Sequence, residues 1–165
     1  MSDDNQLQDD ARRLQNLMRE QIPLCDFMQI TIAELHADSI QVHAPIAPNR
    51  NLHGSAFAGS LSALTAVTGW ALVTHNGQSR FGEVSVVVKK AEVEYLKPVT
   101  DEQIVIEAAL EKEDLSGFFE RIELKGRGSI EVQVKIQSAG ETAVKLTGRY
   151  TLLTAEQAEQ IKGNH

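Results

Sequence analysis

The sequence predicts an α+β domain: one antiparallel sheet of about six strands wrapped around a single long buried helix, with an amphipathic helix leading in. Three observations carry this. From Asn51 to Ser79 there is no Asp, Glu, Lys or Arg, although 24% of the chain is charged. Beyond Arg80 the apolar residues adopt a period of two and hold it to Leu152. The turns between those runs are short, which makes neighbouring strands antiparallel.

In order along the chain, residues 6–20 place Leu7, Ala11, Leu14, Leu17 and Met18 at helical spacing with charges opposite. Met28, Ile30 and Ile32, then Ile40, Val42 and Ala44, alternate with polar residues; Leu35-His36-Ala37-Asp38 lies between them as a turn. The charge-free stretch follows. Roughly 22 residues at ~1.5 Å each make ~33 Å of helix, and a helix apolar nearly all round is wrapped by other structure. Asn76-Gly77 suits its end. Val84, Val86 and Val88 then share one strand face, as do Ala91, Val93 and Tyr95. The single-residue slip at Lys89-Lys90 predicts a β-bulge, and Pro98 ends the strand. Ile104, Ile106, Ala108 and Leu110 form the next strand; Phe118, Ile122 and Leu124 read as another after the turn KEDLSG. Ile130, Val132, Val134 and Ile136 alternate strictly with Glu131, Gln133 and Lys135. The turn Ser138-Ala139-Gly140-Glu141 leads to Val144, Leu146, Tyr150 and Leu152. After the long helix, then, come about five strands. One sheet around one apolar helix is the economical arrangement. Residues 1–20 are read as a helix packing on the domain, 21–155 as the domain and 156–165 as a C-terminal tail; 165 residues suffice for one core.

Composition excludes several classes of function. A net charge of −7 argues against a nucleic-acid partner, which would need a basic surface. Cys25 is the only cysteine, so there is no intrachain disulfide; with no His nearby in sequence it reads as a small buried apolar residue. His36, His43, His53, His75 and His165 lack metal-ligand spacing, so no metal is expected. The long helix could span a membrane by length. Ser55, Ser60, Ser62, Thr65, Thr68 and His75 dilute its apolar residues too far for insertion, and the opening MSDDNQLQDD is acidic rather than leader-like. The expectation is a cytoplasmic chain with no membrane partner.

A polar, glycine-bearing loop, Asn49-Arg50-Asn51-Leu52-His53-Gly54-Ser55, runs into the long helix, whose free N–H groups and dipole hold developing negative charge. This stretch, continued as NRNLHGSAFAGSL, and VEYLKPVTDEQIVIEAAL together resemble the hotdog fold of enzymes acting on coenzyme A or acyl-carrier-protein thioesters. The first resembles more narrowly the thioesterase-like C-terminal domain of YiiD-type proteins, in which N-x-N-x-x-G-[ST]-x-F-x-G-S precedes the helix. The resemblance implies a thioesterase or a malonyl-carrier-protein decarboxylase of fatty acid metabolism. It also implies no cofactor beyond the phosphopantetheine that the substrate carries, and a homodimer or dimer of dimers with the site at the subunit interface. The Val84–Val88 run and the edge-like Lys89-Lys90 are suited to pairing with a copy of themselves.

Two chemistries then compete. Hydrolysis needs a positioned water and normally a general base. The phenylacetyl-CoA type of hotdog thioesterase carries an Asp on the helix nine residues after the His of HGG; the equivalent here is Ser62, and no carboxylate occurs from Asn51 to Ser79. His53, Glu83 or a second subunit's acid would have to substitute. Decarboxylation of a malonyl thioester needs only donors for the enolate oxygen and a site that disfavours a hydrated carboxylate. The expected donors are the Asn51 side chain and the N–H groups of Gly54 and Ser55, with His53 and Asn49 as further catalytic candidates and Ser62 or Thr65 as proton source or pocket. Arg50, Arg80, Lys89, Lys90 and Lys97 are candidates for docking an acidic carrier protein or CoA phosphates. Each has a plainer reading: Asn49 and Asn51 favour turns and caps, and Ser or Thr hydroxyls bond back to their own helix. A module that binds an acyl thioester without turnover is a third possibility.

Overall fold

The computed structural model describes residues 3–163; the first two residues of the opening segment, and His165, lie outside the described residues. Helix α1 (Asp3–Gln21) and short α2 (Pro23–Phe27) lead into strands β1 (Thr31–Leu35) and β2 (Ser39–Pro45). A 3-10 turn (Ala47–Asn49) precedes the long helix α3 (Ala58–Phe81). Then come β3 (Val84–Tyr95), β4 (Gln103–Ala109), α4 (Lys112–Lys125), β5 (Arg127–Ser138), β6 (Glu141–Thr154) and α5 (Ala155–Lys162). The strands form one antiparallel sheet in the order β1-β2-β4-β5-β6-β3. Strands β2, β4, β5 and β6 turn alternate residues inward against α3, closing a core of Leu64, Leu72, Val42, Ile106, Val134, Leu146 and Tyr150. None of the described helices is long and apolar enough to cross a membrane.

The expected bulge is present, with the β3–β6 register shifting between Val88 and Lys90. Two expectations need correction. Residues 118–124 are not a strand but part of α4. Leu115, Phe118 and Ile122 are spaced by three and four, and this buried stripe packs on β5, while Leu124 points to solvent. The long helix does not stop at Asn76-Gly77. Gly77 lies buried within the helix, and its smallness serves packing, since a Cβ there would lie 2.2 Å from Leu152 Cδ1. The stop is Gly82, at φ +73°, whose N–H bonds to Gln78 O. The expected tail begins as helix α5.

Candidate functional site

The approach to α3 is a tightly tied loop. Asn51 N–H donates to Ser55 O at 2.8 Å, and Arg50 bridges to Ala56. The Asn51 side chain fills the turn: Oδ1 accepts His53 N–H at 2.8 Å and Ser55 N–H at 3.2 Å, and Nδ2 donates to Ser55 Oγ at 2.8 Å. One Nδ2 hydrogen is left over. Gly54 sits at φ +81°, which strains any residue with a Cβ. His53 and Leu52 project into solvent, Leu52 at 98% exposure.

Asn49 occupies a different position from Asn51. It is 1% exposed, and its Nδ2 donates to Met28 O at 3.1 Å and Pro45 O at 2.8 Å. Its own carbonyl accepts Phe57 N–H at 2.7 Å. The residue ties the ends of α2 and β2 to the N-cap of α3, and so positions the helix tip from beneath. Its Oδ1 is buried without a partner among the described residues.

The helix begins later than its sequence suggests. Ala56 N–H donates to Val99 O at 2.8 Å and Phe57 N–H to Asn49 O, holding both residues extended, so the first helical residue is Ala58. The free helical donors are therefore the N–H groups of Ala58, Gly59 and Ser60, for Leu61 N–H is the first to bond within the helix, to Phe57 O at 3.0 Å. Gly54 and Ser55 lie in the loop ahead of them, and Ser55 N–H is already engaged by Asn51. The half-exposed Phe57 ring leans over Gly59, where a Cβ would sit 2.4 Å from it. Tyr95, at the far end of β3, brings its hydroxyl to within 3.3 Å of Ala58 O. Phe57, Tyr95 and the three N–H groups were not among the expected site residues, because the contacts that place them span the fold.

Ser62, one turn on, is half-buried and its hydroxyl makes no hydrogen bond among the described residues. Thr65 is fully buried and its hydroxyl donates back to the helix, to Leu61 O at 2.8 Å. Among the described residues, no carboxylate hydrogen-bonds to any residue from 49 to 65. The tip opens at the surface of the chain. A trough of about 710 Å³ on the outer sheet face and a hollow of about 410 Å³ beside His43 both lie elsewhere.

The cationic candidates do not form one patch. Arg80 stands at the other end of α3, roughly 33 Å along its axis from the tip, where it grips Glu123 Oε1 at 2.5 Å and covers the Phe119 ring at 4.8 Å. Lys90 pairs with Glu92 at 3.2 Å, and Lys97 pairs with Glu141. Lys89 and Arg50 make no ion pair among the described residues. Cys25 is fully buried, and burial pushes its thiol up to about 11, away from nucleophilic use. No group of three or more His, Cys, Asp or Glu gathers as a metal site among the described residues.

Residues 11–154 match the model of the family described as Putative thioesterase (yiiD_Cterm). Among solved structures, a putative thioesterase from Shewanella oneidensis superposes with a TM-score of 0.80 at 27% identity, over 88% of this chain and 99% of that one. A protein of unknown function from Chlorobaculum tepidum TLS gives 0.83 at 25% identity, over 87% and 94%. The PaaI protein of the phenylacetic acid degradation operon of E. coli gives 0.62 at 16% identity, over 87% and 94%, a likeness of fold alone. These neighbours are hotdog proteins, and the present fold is the hotdog fold.

Proposed function

We propose that this chain, which belongs to the Putative thioesterase (yiiD_Cterm) family, decarboxylates a malonyl thioester of acyl-carrier protein or coenzyme A to the acetyl thioester. Enzymes acting on thioesters share its fold and family; the choice of reaction rests on the α3 tip. The carrying observation is three unengaged N–H groups, on Ala58, Gly59 and Ser60, with no carboxylate bonded nearby among the described residues. In the reaction, the bond between C2 and the malonyl carboxylate carbon breaks, carbon dioxide leaves, and the electron pair moves into an enolate. Its oxygen is the negative charge that the N–H groups meet. One well-placed donor of this kind lowers the barrier by ~3 kcal/mol. Protonation of C2 by water, with Ser62 one turn along the helix as a hydroxyl that can relay the proton, completes the acetyl thioester. An acid at the tip would repel the malonyl carboxylate. The only carrier group required is the phosphopantetheine of the substrate.

Hydrolysis is the second reading, favoured by the description of the family. It requires a general base, for which His53 in the adjoining loop, Glu83 or an acid of a second subunit are the candidates. The edge strand β3 offers the surface for such a subunit, since its outer side is unpaired over a long, apolar run that includes Val87 and Val88. Incubation with malonyl, acetyl and long-chain acyl thioesters separates the readings. Carbon dioxide without free thiol is the expected result with the malonyl substrate. Thiol release identifies a hydrolase; saturable binding without either product identifies a binding module.

A further inference from the structure

We infer that α1 is a strap over a second, latent association edge, held there so that the sheet extends only from β3. The sheet has two ends, β1 and β3. An edge strand presents unpaired donors and acceptors that a strand of another molecule can match. On β3 one edge carbonyl, Val86 O, accepts Trp70 Nε1 from α3 at 3.0 Å, and no further strand pairs with this edge among the described residues.

At the start of β1 two outward groups are taken by α1: Ile32 N–H within the strand and Ile30 O just ahead of it. Gln15 Oε1 accepts Ile32 N–H at 2.8 Å, and Arg19 donates to Ile30 O from Nε at 3.1 Å and Nη2 at 2.5 Å. Ile30 and Ile32 are two residues apart, so these backbone groups point the same way, outward from β2. The helix is built for this. Leu14 (4% exposed) and Met18 (0%) are four apart and enter the core. Gln15 and Arg19 repeat that spacing one residue later, and so line the shoulder of the same face, against the strand. Two polar side chains therefore stand where a seventh strand would bond.

The consequence concerns assembly. Pairing of β3 with a copy of itself is two-fold and closes. Pairing of β3 with β1 of another copy is head-to-tail, and strand addition of that kind does not close unless its rotation makes a ring. The occupant that α1 keeps out is thus a second copy of this chain.

In the full-length protein, Leu14→Asp/Met18→Asp should lift α1. Light scattering should then show a mass that keeps rising with concentration, where the native chain holds a finite mass. A cooperatively melting variant that stays at the native mass would overturn the proposal. Gln15→Ala/Arg19→Ala keeps the apolar anchors, and hence the fold, and there the readout is the Ile32 amide. Its hydrogen exchange should accelerate by roughly tenfold or more as its partner is lost. Unchanged exchange at Ile32 overturns the proposal whatever the first variant does.

Discussion

The two ends of α3 come from one uncharged stretch, yet they are treated in opposite ways. Toward the C-terminus, Thr74, His75 and Asn76 are buried in succession, so structure surrounds the helix. Two of its polar side chains bond back: Asn76 Nδ2 to Leu72 O at 2.9 Å, Ser79 Oγ to His75 O at 2.8 Å. Gly82 closes the last turn and Arg80 ties it to α4. At the N-terminus nothing closes the first turn. Three N–H groups stay free, Ser62 keeps an unused hydroxyl, and Phe57 and Tyr95 stand half-exposed beside them. An anchored rear half lets the front half hold unsatisfied dipoles in fixed orientation. Such preorganisation is what enolate stabilisation needs.

The contrast can be broken most severely at the front. Asn51→Ala removes three hydrogen bonds that shape the loop ahead of the tip. Turnover of the malonyl thioester should fall by about 10²–10³ in kcat/KM, while circular dichroism and cooperative melting persist. Thr65→Val, inside the helix, should leave kcat/KM nearly intact. Equal losses in both variants would erase the distinction between the two regions.

In the middle of the helix the expected effect is on stability. At Gly69 a Cβ would lie 2.3 Å from the Tyr150 hydroxyl, which donates to Ala66 O at 2.7 Å. Gly69→Val should therefore cost ~1–3 kcal/mol by overpacking, read as a lower urea midpoint. A variant as stable as the native chain would show that Tyr150 is not seated there.

A gentler probe is pH. Burial lowers the His75 pKa from 6.5, and the nearby Asp10 on α1 offsets that only in part. The folded state thus prefers neutral imidazole. Its contribution to stability is complete above the unfolded value of about 6.5 and declines as pH falls below it, because the unfolded chain takes up the proton more readily. Urea titrations of the native chain and His75→Gln should diverge below that pH, with the native chain falling faster. Parallel curves would contradict the burial. The smallest effect belongs to Thr74, whose hydroxyl is buried without a partner among the described residues. Thr74→Val should be neutral or stabilise by ~1 kcal/mol, seen as a raised urea midpoint.

How much of this was legible in sequence depends on the range of the interaction. Strand β5 could be read directly, since one face is buried and the alternation of Ile130–Ile136 with Glu131–Lys135 has no helical alternative. The β3 bulge left a one-residue slip in the pattern. Helix α4 was misread because Phe118, Ile122 and Leu124 form a short apolar set that fits either period; only packing of Leu115 and Phe118 on β5 decides it. The importance of the Asn49–Ser55 loop was visible from its residue types. Which groups point outward was not, because Val99 and Asn49 hold Ala56 and Phe57 extended and push the helix start to Ala58. Arg80 looked like part of a docking patch until the length of α3 carried it to the far end, against Glu123.

The account turns on whether the donors of Ala58, Gly59 and Ser60 serve an enolate rather than a hydrolytic water. Intact-mass measurement of malonyl-carrier protein during turnover addresses this directly. The prediction is a carrier whose mass drops by one carbon dioxide while the acetyl group stays attached, with no free thiol. Carrier that emerges deacylated, or that is unchanged beside a folded protein, would contradict it.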